Sequence, residues 1–197
     1  DMELISVIIP AYNEEERIGQ TIDKLKETKS HIEIIVVDNC STDRTSDIAI
    51  EKKVKLVHCN KQGKGYAMEE GLKYAKGNII IFVDGDLGVY IDDLITTMVT
   101  PIINNEADFT KSAFERNGGR VTELVVKPLL DLLFPEMYKF EQPLSGIIAG
   151  KKEIFDKLAF EKDYGVDIGI LLDVIKLTPK IKEVHVGRIE NNSQSWH

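Results

Sequence analysis

Hydrophobic runs alternate with amphipathic stretches along the first half of the chain. The runs at residues 4–10, 32–38 and 78–84 are rich in Val and Ile, as is typical of strands buried on both faces of a sheet. Between the first two runs, Ile18, Ile22 and Leu25 recur at helical spacing. This alternation predicts an α/β fold with a mostly parallel central sheet and helices on both faces.

The same patterns predict the remaining elements. Further strands are expected at residues 54–59, 107–114 and 181–187, and a short strand that turns into a helix within residues 144–158. Helices are expected at residues 15–27, 63–77, 92–103, 120–135 and 165–177, the third stopping at Pro101 and the fourth kinked at Pro128. No repeat or linker interrupts the pattern, so we expect a single domain over residues 1–197, with a regular half (1–90) and a less regular half (91–197).

Composition narrows the function classes. The chain has 197 residues, of which 29% are charged, and a formal net charge of -8. An acidic chain is a poor match for nucleic acid or an anionic membrane. No apolar run reaches the roughly 18 residues that span a bilayer, the start lacks the features of a signal peptide, and two cysteines make no disulfide framework. We therefore expect a cytoplasmic protein.

Two carboxylates directly follow one of the buried strands. Asp84 and Asp86 are separated only by Gly85, and residues i and i+2 leave a strand on the same side. Such a sequence is often only a turn. Two carboxylates aimed at one point repel, however, unless a cation lies between them, and hard oxygen ligands favour Mg²⁺ or Mn²⁺. The pattern therefore indicates a metal ion with a bound diphosphate.

Polar residues also follow other predicted strands. Glu14 lies in an acid-rich stretch that fits a helix N-terminus, and Asp38 begins a loop that fits a helix cap. Lys64 lies between two glycines, in a sequence that lacks the P-loop pattern but suits an anion at a helix start. Because ligands bind at the carboxyl ends of strands in open α/β sheets, the joint occurrence of these residues favours one binding site.

The order of the motifs in the first half resembles a known fold family. "VIIPAYNEEERIGQTI", "VVDNCSTDRTSDIA", "GKGYAMEEGLKYAKGN" and "IIIFVDGDL" are similar to the nucleotide-sugar half of GT-A glycosyltransferases, over roughly residues 4–90. The resemblance implies a GT-A fold whose first half binds a nucleotide-sugar. The residues it implicates in that binding are Pro10, Ala11, Tyr12 and Glu14 around base and ribose, Asp38 and Asn39 at the base, Lys64 near the diphosphate, and Asp84, Gly85 and Asp86 as the Asp-x-Asp motif at ribose and metal.

Motifs in the second half of the chain resemble one group of enzymes within that fold family. "GGRVTELVVKPLL", "QPLSGIIAGKKEIF" and "YGVDIGILLDV" resemble glucosyl-3-phosphoglycerate synthases and their mannosyl relatives. This implies transfer, with retention, of a hexose from UDP-glucose or GDP-mannose to a small phosphorylated acceptor, 3-phosphoglycerate. Gly119, Arg120 and Thr122 then match the loop that grips the acceptor's phosphate, and Tyr164 and Asp167 match a segment that faces the transferred sugar. Asp86, Lys64 and Asp167 are the residues assigned to catalysis.

The chain departs from that family at one metal ligand. The family commonly supplies a histidine just after the last strand, and the aligned position here is Asn191, which we take with Asp84 and Asp86 as the metal set. Three alternatives stay open: a polyprenyl-phosphate sugar transferase of the same fold, a sugar-nucleotide binding module without catalysis, and, ranked low, a nucleotidyltransferase. The expected partners are the donor and the acceptor, with a homodimer as one further expectation.

Overall fold

The computed structural model describes residues 3–87, 93–116, 128, 132–137, 139–141, 147–162 and 165–189. Within these residues the sequence forms seven strands and six helices, besides a short 3-10 turn (Pro135–Met137). The strands are β1 (Ile5–Ala11), β2 (Ile32–Asp38), β3 (Lys55–His58), β4 (Ile79–Phe82), β5 (Phe109–Arg116), β6 (Ile148–Lys151) and β7 (Ile181–Ile189). The helices are α1 (Ile18–Lys26), α2 (Thr45–Glu51), α3 (Lys64–Tyr74), α4 (Leu94–Ile103), α5 (Lys152–Phe155) and α6 (Val166–Leu177).

The strands form one sheet in the order β3-β2-β1-β4-β6-β5-β7. β1 pairs in parallel with β2 and β4, β2 with β3, and β5 with β7, whereas β6 is antiparallel to both of its neighbours. The predicted mostly parallel sheet is confirmed, and strands from both halves of the chain belong to it. The division of the chain at residue 90 stays a prediction.

Helices cover both faces of the sheet, which explains the unbroken apolar strands. Ile9, Val36 and Ile81 face a core built with α1, α2 and α4. Ile8 and Ile80 face a second core built with α3, α5 and α6. Each central strand therefore buries both sets of alternating side chains, and water contact is left mainly to the strand ends.

Pro101 does not stop its helix, contrary to the sequence prediction. α4 continues to Ile103 with Pro101 inside it. The missing N–H and the ring of a proline weaken the turn before it, but Met98, Val99 and Ile102 are fully buried around it. That burial outweighs one lost hydrogen bond so close to the helix end. The helix predicted across residues 120–135 lies largely outside the described residues.

Candidate functional site

The carboxyl ends of β1, β2 and β4 open into a cavity of about 600 Å³. It is lined by residues that follow these strands and by the start of α3: Pro10, Ala11, Tyr12, Glu14, Asn39, Gln62, Gly63, Lys64, Ala67, Asp84, Gly85 and Asp86. Apart from Asp38, every residue that the sequence assigned to the nucleotide-sugar lies in this set. Sheet topology explains the convergence, since β1 lies between β2 and β4 and all three run in parallel.

The loops after β1 and β2 are joined by hydrogen bonds that shape one side of the cavity. The Asn13 side chain accepts from the Thr42 N–H at 2.8 Å, and the Ser41 hydroxyl accepts from the Asn13 N–H at 3.0 Å. Asn13 has a positive φ of 49°, a conformation that asparagine tolerates better than most residues. Tyr12, next to it, is 49% exposed and lines the cavity, so its ring is accessible to a ligand.

Asp38 and Asn39 build the neighbouring loops. The buried carboxylate of Asp38 accepts from the Ser41 N–H at 3.2 Å and from the Ser46 hydroxyl at 2.7 Å. The Asn39 amide donates to the Lys61 carbonyl at 2.7 Å and accepts from the Gly63 N–H at 2.8 Å. Asn39 therefore holds the loop that leads to Lys64. The predicted contact of the Asp38 and Asn39 side chains with a nucleobase stays a prediction.

Lys64 joins the two halves of the chain. Its ammonium lies 3.1 Å from Oδ1 of Asp84, just beyond β4, and 3.2 Å from both carboxylate oxygens of Asp167 in the first turn of α6. Burial lowers the pKa of Lys64, but the two carboxylates outweigh that effect and place its pKa above the ordinary value. The residue is therefore a fixed positive charge at the end of the cavity.

The carboxyl group of Asp84 is also perturbed. Burial raises its pKa, the Lys64 ammonium opposes that rise, and the nearby negative charges of Asp167 and Asp86 add to it, so the net direction is upward. The pKa of Glu14 is likewise raised, first by burial and then by Asp86, with Arg17 opposing. The cavity thus concentrates negative charge beyond what its own lysine neutralises.

Arg17 is a site residue that the sequence analysis did not identify. Its guanidinium lies 3.6 Å from Oδ2 of Asp86, and both side chains are about half exposed. Arg17 is the basic residue at the end of an acid-rich stretch that also contains Glu14. That contrast in charge was the one feature of the sequence that could have pointed to Arg17. Without the position of Asp86, it is typical of an ordinary helix start.

The metal-binding prediction is supported in part by position. Asp84 and Asp86 line the same cavity, and their oxygens are the donor type that Mg²⁺ and Mn²⁺ prefer. Across the described part of the chain, no group of three or more His, Cys, Asp or Glu residues could hold a metal ion. Asn191, the third predicted ligand, lies outside the described residues, so the complete ligand set stays a prediction.

The predicted acceptor residues cannot be placed in this geometry. Gly119, Arg120, Thr122 and Tyr164 lie outside the described residues. Asp167, in contrast, is described and lies beside Lys64, which lines the cavity. Of the residues assigned to catalysis, Lys64 and Asp167 are thus in contact, and Asp86 lines the same cavity.

A buried lysine lies deeper in the second half of the chain. Lys111 on β5 is 1% exposed, its ammonium donates to the Ser112 carbonyl at 3.3 Å, and Oε2 of Glu183 on β7 is 3.9 Å away. Burial lowers the pKa of Lys111 to about 8, against the attraction of Glu183 and Asp167. Sequence reasoning missed this residue, because a lysine in a strand ordinarily faces solvent.

The sequence of this chain is similar to those of known proteins. Residues 6–163 match the family model described as glycosyl transferase family 2. Glucosyl-3-phosphoglycerate synthase from Mycobacterium tuberculosis (strain CDC 1551 / Oshkosh) is 35% identical over 194 residues, covering 86% of this chain and 60% of the relative. The enzyme of that description from Petrotoga mobilis is 34% identical over 195 residues, with the same two coverages, 86% and 60%.

Solved structures of one of these enzymes are also similar to the structure of this chain. The crystal structure of the M. tuberculosis synthase with Mn²⁺, UDP-glucose and phosphoglyceric acid has a TM-score of 0.85 and 36% identity, covering 94% of this chain and 70% of that one. The same enzyme with Mg²⁺ and UDP also has a TM-score of 0.85, with 36% identity and the same coverages, 94% and 70%. The chain spans about 60% of the length of the curated relatives it matches.

Proposed function

The chain belongs to glycosyl transferase family 2, and from that membership we propose that it is a metal-dependent hexosyltransferase that moves glucose from UDP-glucose to 3-phosphoglycerate with retention. The GT-A fold expected from the motif order is confirmed by the family match and by the solved structures. The two curated relatives and the solved structures described above are glucosyl-3-phosphoglycerate synthases, and their activity supports the proposal for this chain.

One observation carries the proposal. Asp84, Asp86 and Lys64 from the first half of the chain line a single cavity, and Asp167 from the second half contacts the ammonium of Lys64. A sugar transferase must hold a nucleotide diphosphate and an acceptor next to the same anomeric carbon. A cavity at the carboxyl ends of parallel strands, with a residue from the other half beside its lysine, is compatible with such a reaction.

The donor set fits a divalent cation. Asp84 and Asp86 supply hard oxygen ligands at the cavity, and Mg²⁺ or Mn²⁺ keeps further positions for waters and phosphate oxygens. When bound, such an ion supplies positive charge that stabilises the leaving diphosphate. Asn191 remains the proposed third ligand from the protein.

Lys64 and Asp167 are assigned to the chemistry at the sugar. The ammonium of Lys64 lies at the start of α3, where it can contact a diphosphate oxygen without moving its backbone. The Asp167 carboxylate, 3.2 Å from that ammonium, is positioned to accept a hydrogen bond from a sugar hydroxyl or to stabilise positive charge at the anomeric carbon. Gly119, Arg120 and Thr122 are proposed to bind the acceptor's phosphate.

The experiment that tests this function is a matrix of donors and acceptors. UDP-glucose and GDP-mannose are each incubated with 3-phosphoglycerate, glycerate and a polyprenyl phosphate, with Mn²⁺ or with a chelator. We expect glucosylated phosphoglycerate only from UDP-glucose, 3-phosphoglycerate and Mn²⁺. Product formed only on the polyprenyl phosphate would show that this lipid, and not 3-phosphoglycerate, is the acceptor. UDP binding without turnover on any acceptor would indicate a binding module without catalysis.

Other expectations about the whole protein stay predictions. Within the described residues, no helix combines the length and the apolar character needed to cross a membrane. The cytoplasmic location and the homodimer are not tested by this finding. Size-exclusion chromatography with light scattering would decide the oligomeric state.

A further inference from the structure

The two glycines on either side of Lys64 lie directly against the backbone of residues 161–162. A Cβ added to Gly65 would overlap the carbonyl oxygen of Glu161 and would lie 2.7 Å from its carbonyl carbon, closer than the 3.0 Å that real Cβ atoms essentially never cross. A Cβ on Gly63 would overlap the carbonyl oxygen of Lys162. Two backbones from opposite halves of the chain therefore touch where no side chain fits.

The two glycines differ in what else they require. Gly63 has a φ of 142°, which favours glycine whatever the surroundings. Gly65 lies inside α3, where any residue adopts the backbone conformation, so the Glu161 carbonyl is what excludes a side chain there. Gly65 is therefore the position at which the backbone contact can be tested by itself.

The stretch that touches these glycines leads directly to Asp167. Gly165 is the N-cap of α6, its carbonyl accepts from the Gly169 N–H at 2.9 Å, and Asp167 lies in the first turn. On the other side of the contact, Lys64 bonds to both oxygens of Asp167. Residues 161–162 thus lie against the glycines on each side of Lys64, and the start of α6, three residues further along the chain, is joined to Lys64 by the ion pair with Asp167.

We propose that Gly63 and Gly65 are positioning residues that let the backbone of residues 161–162 lie against α3 and so set the place of Asp167 beside Lys64. This inference rests on the proposed function for its effect on turnover. The glycines act through the second half of the chain: they fix the distance from Asp167 to Lys64 and to Asp84.

A different role for these glycines makes the opposite prediction. Glycines next to a lysine at a helix start are usually explained by the close approach of a phosphate to the backbone. If that were the reason for Gly65, a methyl group there would weaken nucleotide binding and leave the start of α6 in place. If the contact with Glu161 is the reason, the methyl group displaces α6 and leaves nucleotide binding largely unchanged.

The test compares Gly65→Ala with Gly165→Ala. The control glycine lies two residues before Asp167, and a Cβ added there meets no atom of the described residues within 4 Å. Amide hydrogen exchange across α6, UDP binding by calorimetry and kcat are measured for both variants. For Gly65→Ala we expect at least tenfold faster exchange at the Gly169 amide, at least tenfold lower kcat and a Kd for UDP within about twofold of the parent. For Gly165→Ala we expect no change in any of the three.

Two outcomes overturn the inference. One is tenfold weaker UDP binding by Gly65→Ala with unchanged exchange in α6, and the other is the same exchange response in both variants. If Gly65→Ala does not fold, Lys64→Met removes the ion pair with Asp167 and keeps both backbone contacts. We then expect exchange at the Gly169 amide within about twofold of the parent; a tenfold rise would show that the ion pair, and not the glycine contacts, sets the place of α6 and would overturn the inference. Exchange is read without turnover, so a parent protein that transfers no glucose refutes the proposed function and leaves this inference decidable.

Discussion

Replacing the buried Lys111 by Met should change how the stability of the protein depends on pH. The Lys111 side chain is 1% exposed, and the carboxylate of Glu183 is 3.9 Å from its ammonium. Burial disfavours the charged form, which is why the pKa of Lys111 falls to about 8. Methionine has a similar length and no charge, so it removes the titration while filling most of the same volume.

The sign follows from proton binding in the two states. Below pH 8 both the folded and the unfolded chain hold the proton on Lys111, and the folded state bears the full cost of the buried charge. Between pH 8 and 10.5, the unfolded chain, with an ordinary pKa of 10.5, binds more protons than the folded one, so Lys111 makes stability rise with pH. That interval corresponds to about 3 kcal/mol, at about 1.4 kcal/mol for each tenfold change in proton affinity.

The assay is urea unfolding of both proteins at pH 7, 8, 9 and 10. The difference in unfolding free energy, variant minus parent, should fall by about 2–3 kcal/mol from pH 7 to pH 10. Any constant effect of packing the methionine, or of leaving Glu183 without the ammonium, cancels in this slope. Lys182→Met is the matched control, since Lys182 precedes Glu183 on β7 and its side chain is 47% exposed.

Two results would refute this reasoning about Lys111. A difference that stays flat across the pH range would mean that the folded protein does not depress the pKa of this lysine. A difference that grows with pH would mean that Glu183 stabilises the ammonium more than burial destabilises it. A slope of equal size in Lys182→Met would assign the effect to other titrating groups.

Three further substitutions test the candidate site. Asp86→Ala should abolish transfer and the Mn²⁺ dependence of UDP binding in thermal shift, without loss of stability, because it removes a like charge; normal turnover with Mn²⁺ would contradict the metal assignment. Arg17→Gln should tighten Mn²⁺ binding by up to about fivefold, because it removes the exposed ion pair with Asp86 and such a pair contributes about 0–1 kcal/mol. Arg44→Gln is the control and should leave Mn²⁺ binding unchanged, since the ion pairs of Arg44 with Asp47 and Glu51 include no cavity residue. Arg120→Ala should lower kcat/KM for 3-phosphoglycerate about ten- to a hundredfold, the loss of a charge-assisted contact of roughly 1.5–3 kcal/mol; an equal loss with glycerate would indicate structural damage instead.

Local patterns explain why the first half of the fold was predictable. Each central strand is an aliphatic run, and parallel strands bring their carboxyl ends to one edge. Asp84 and Asp86 are separated by a single residue, and Asn39 directly follows β2, so short-range rules were enough to place them together. The GT-A resemblance added roles to residues whose positions these rules had already predicted.

The contacts that close the site could not be predicted in the same way. Lys64 and Asp167 are 103 residues apart in sequence, and no periodicity relates the first residue of one helix to an aspartate in a later helix. The close contact of Gly65 with the Glu161 backbone and the burial of Lys111 likewise depend on how the second half of the chain packs. Pro101 shows the same limit, since the local rule for proline was outweighed by burial of the helix around it.

The charge of the cavity gives an independent reason to expect a metal ion. Glu14, Asp84 and Asp86 line it, and Lys64 is the basic residue among the described lining residues. Lys64 is already within 3.2 Å of Asp84 and of Asp167, so a diphosphate that enters meets more negative than positive charge. At a separation of about 4 Å, two unit charges near a protein surface interact by about 4 kcal/mol. The ammonium of Lys64 and the half-exposed guanidinium of Arg17, 3.6 Å from Asp86, are both already paired with carboxylates and do not offset the repulsion of a dianionic group. Asp84 and Asp86 would hold a divalent cation, whose charge would make the cavity attractive to the phosphates. For that reason UDP binding should depend on Mn²⁺ even though the chain has a lysine at the site.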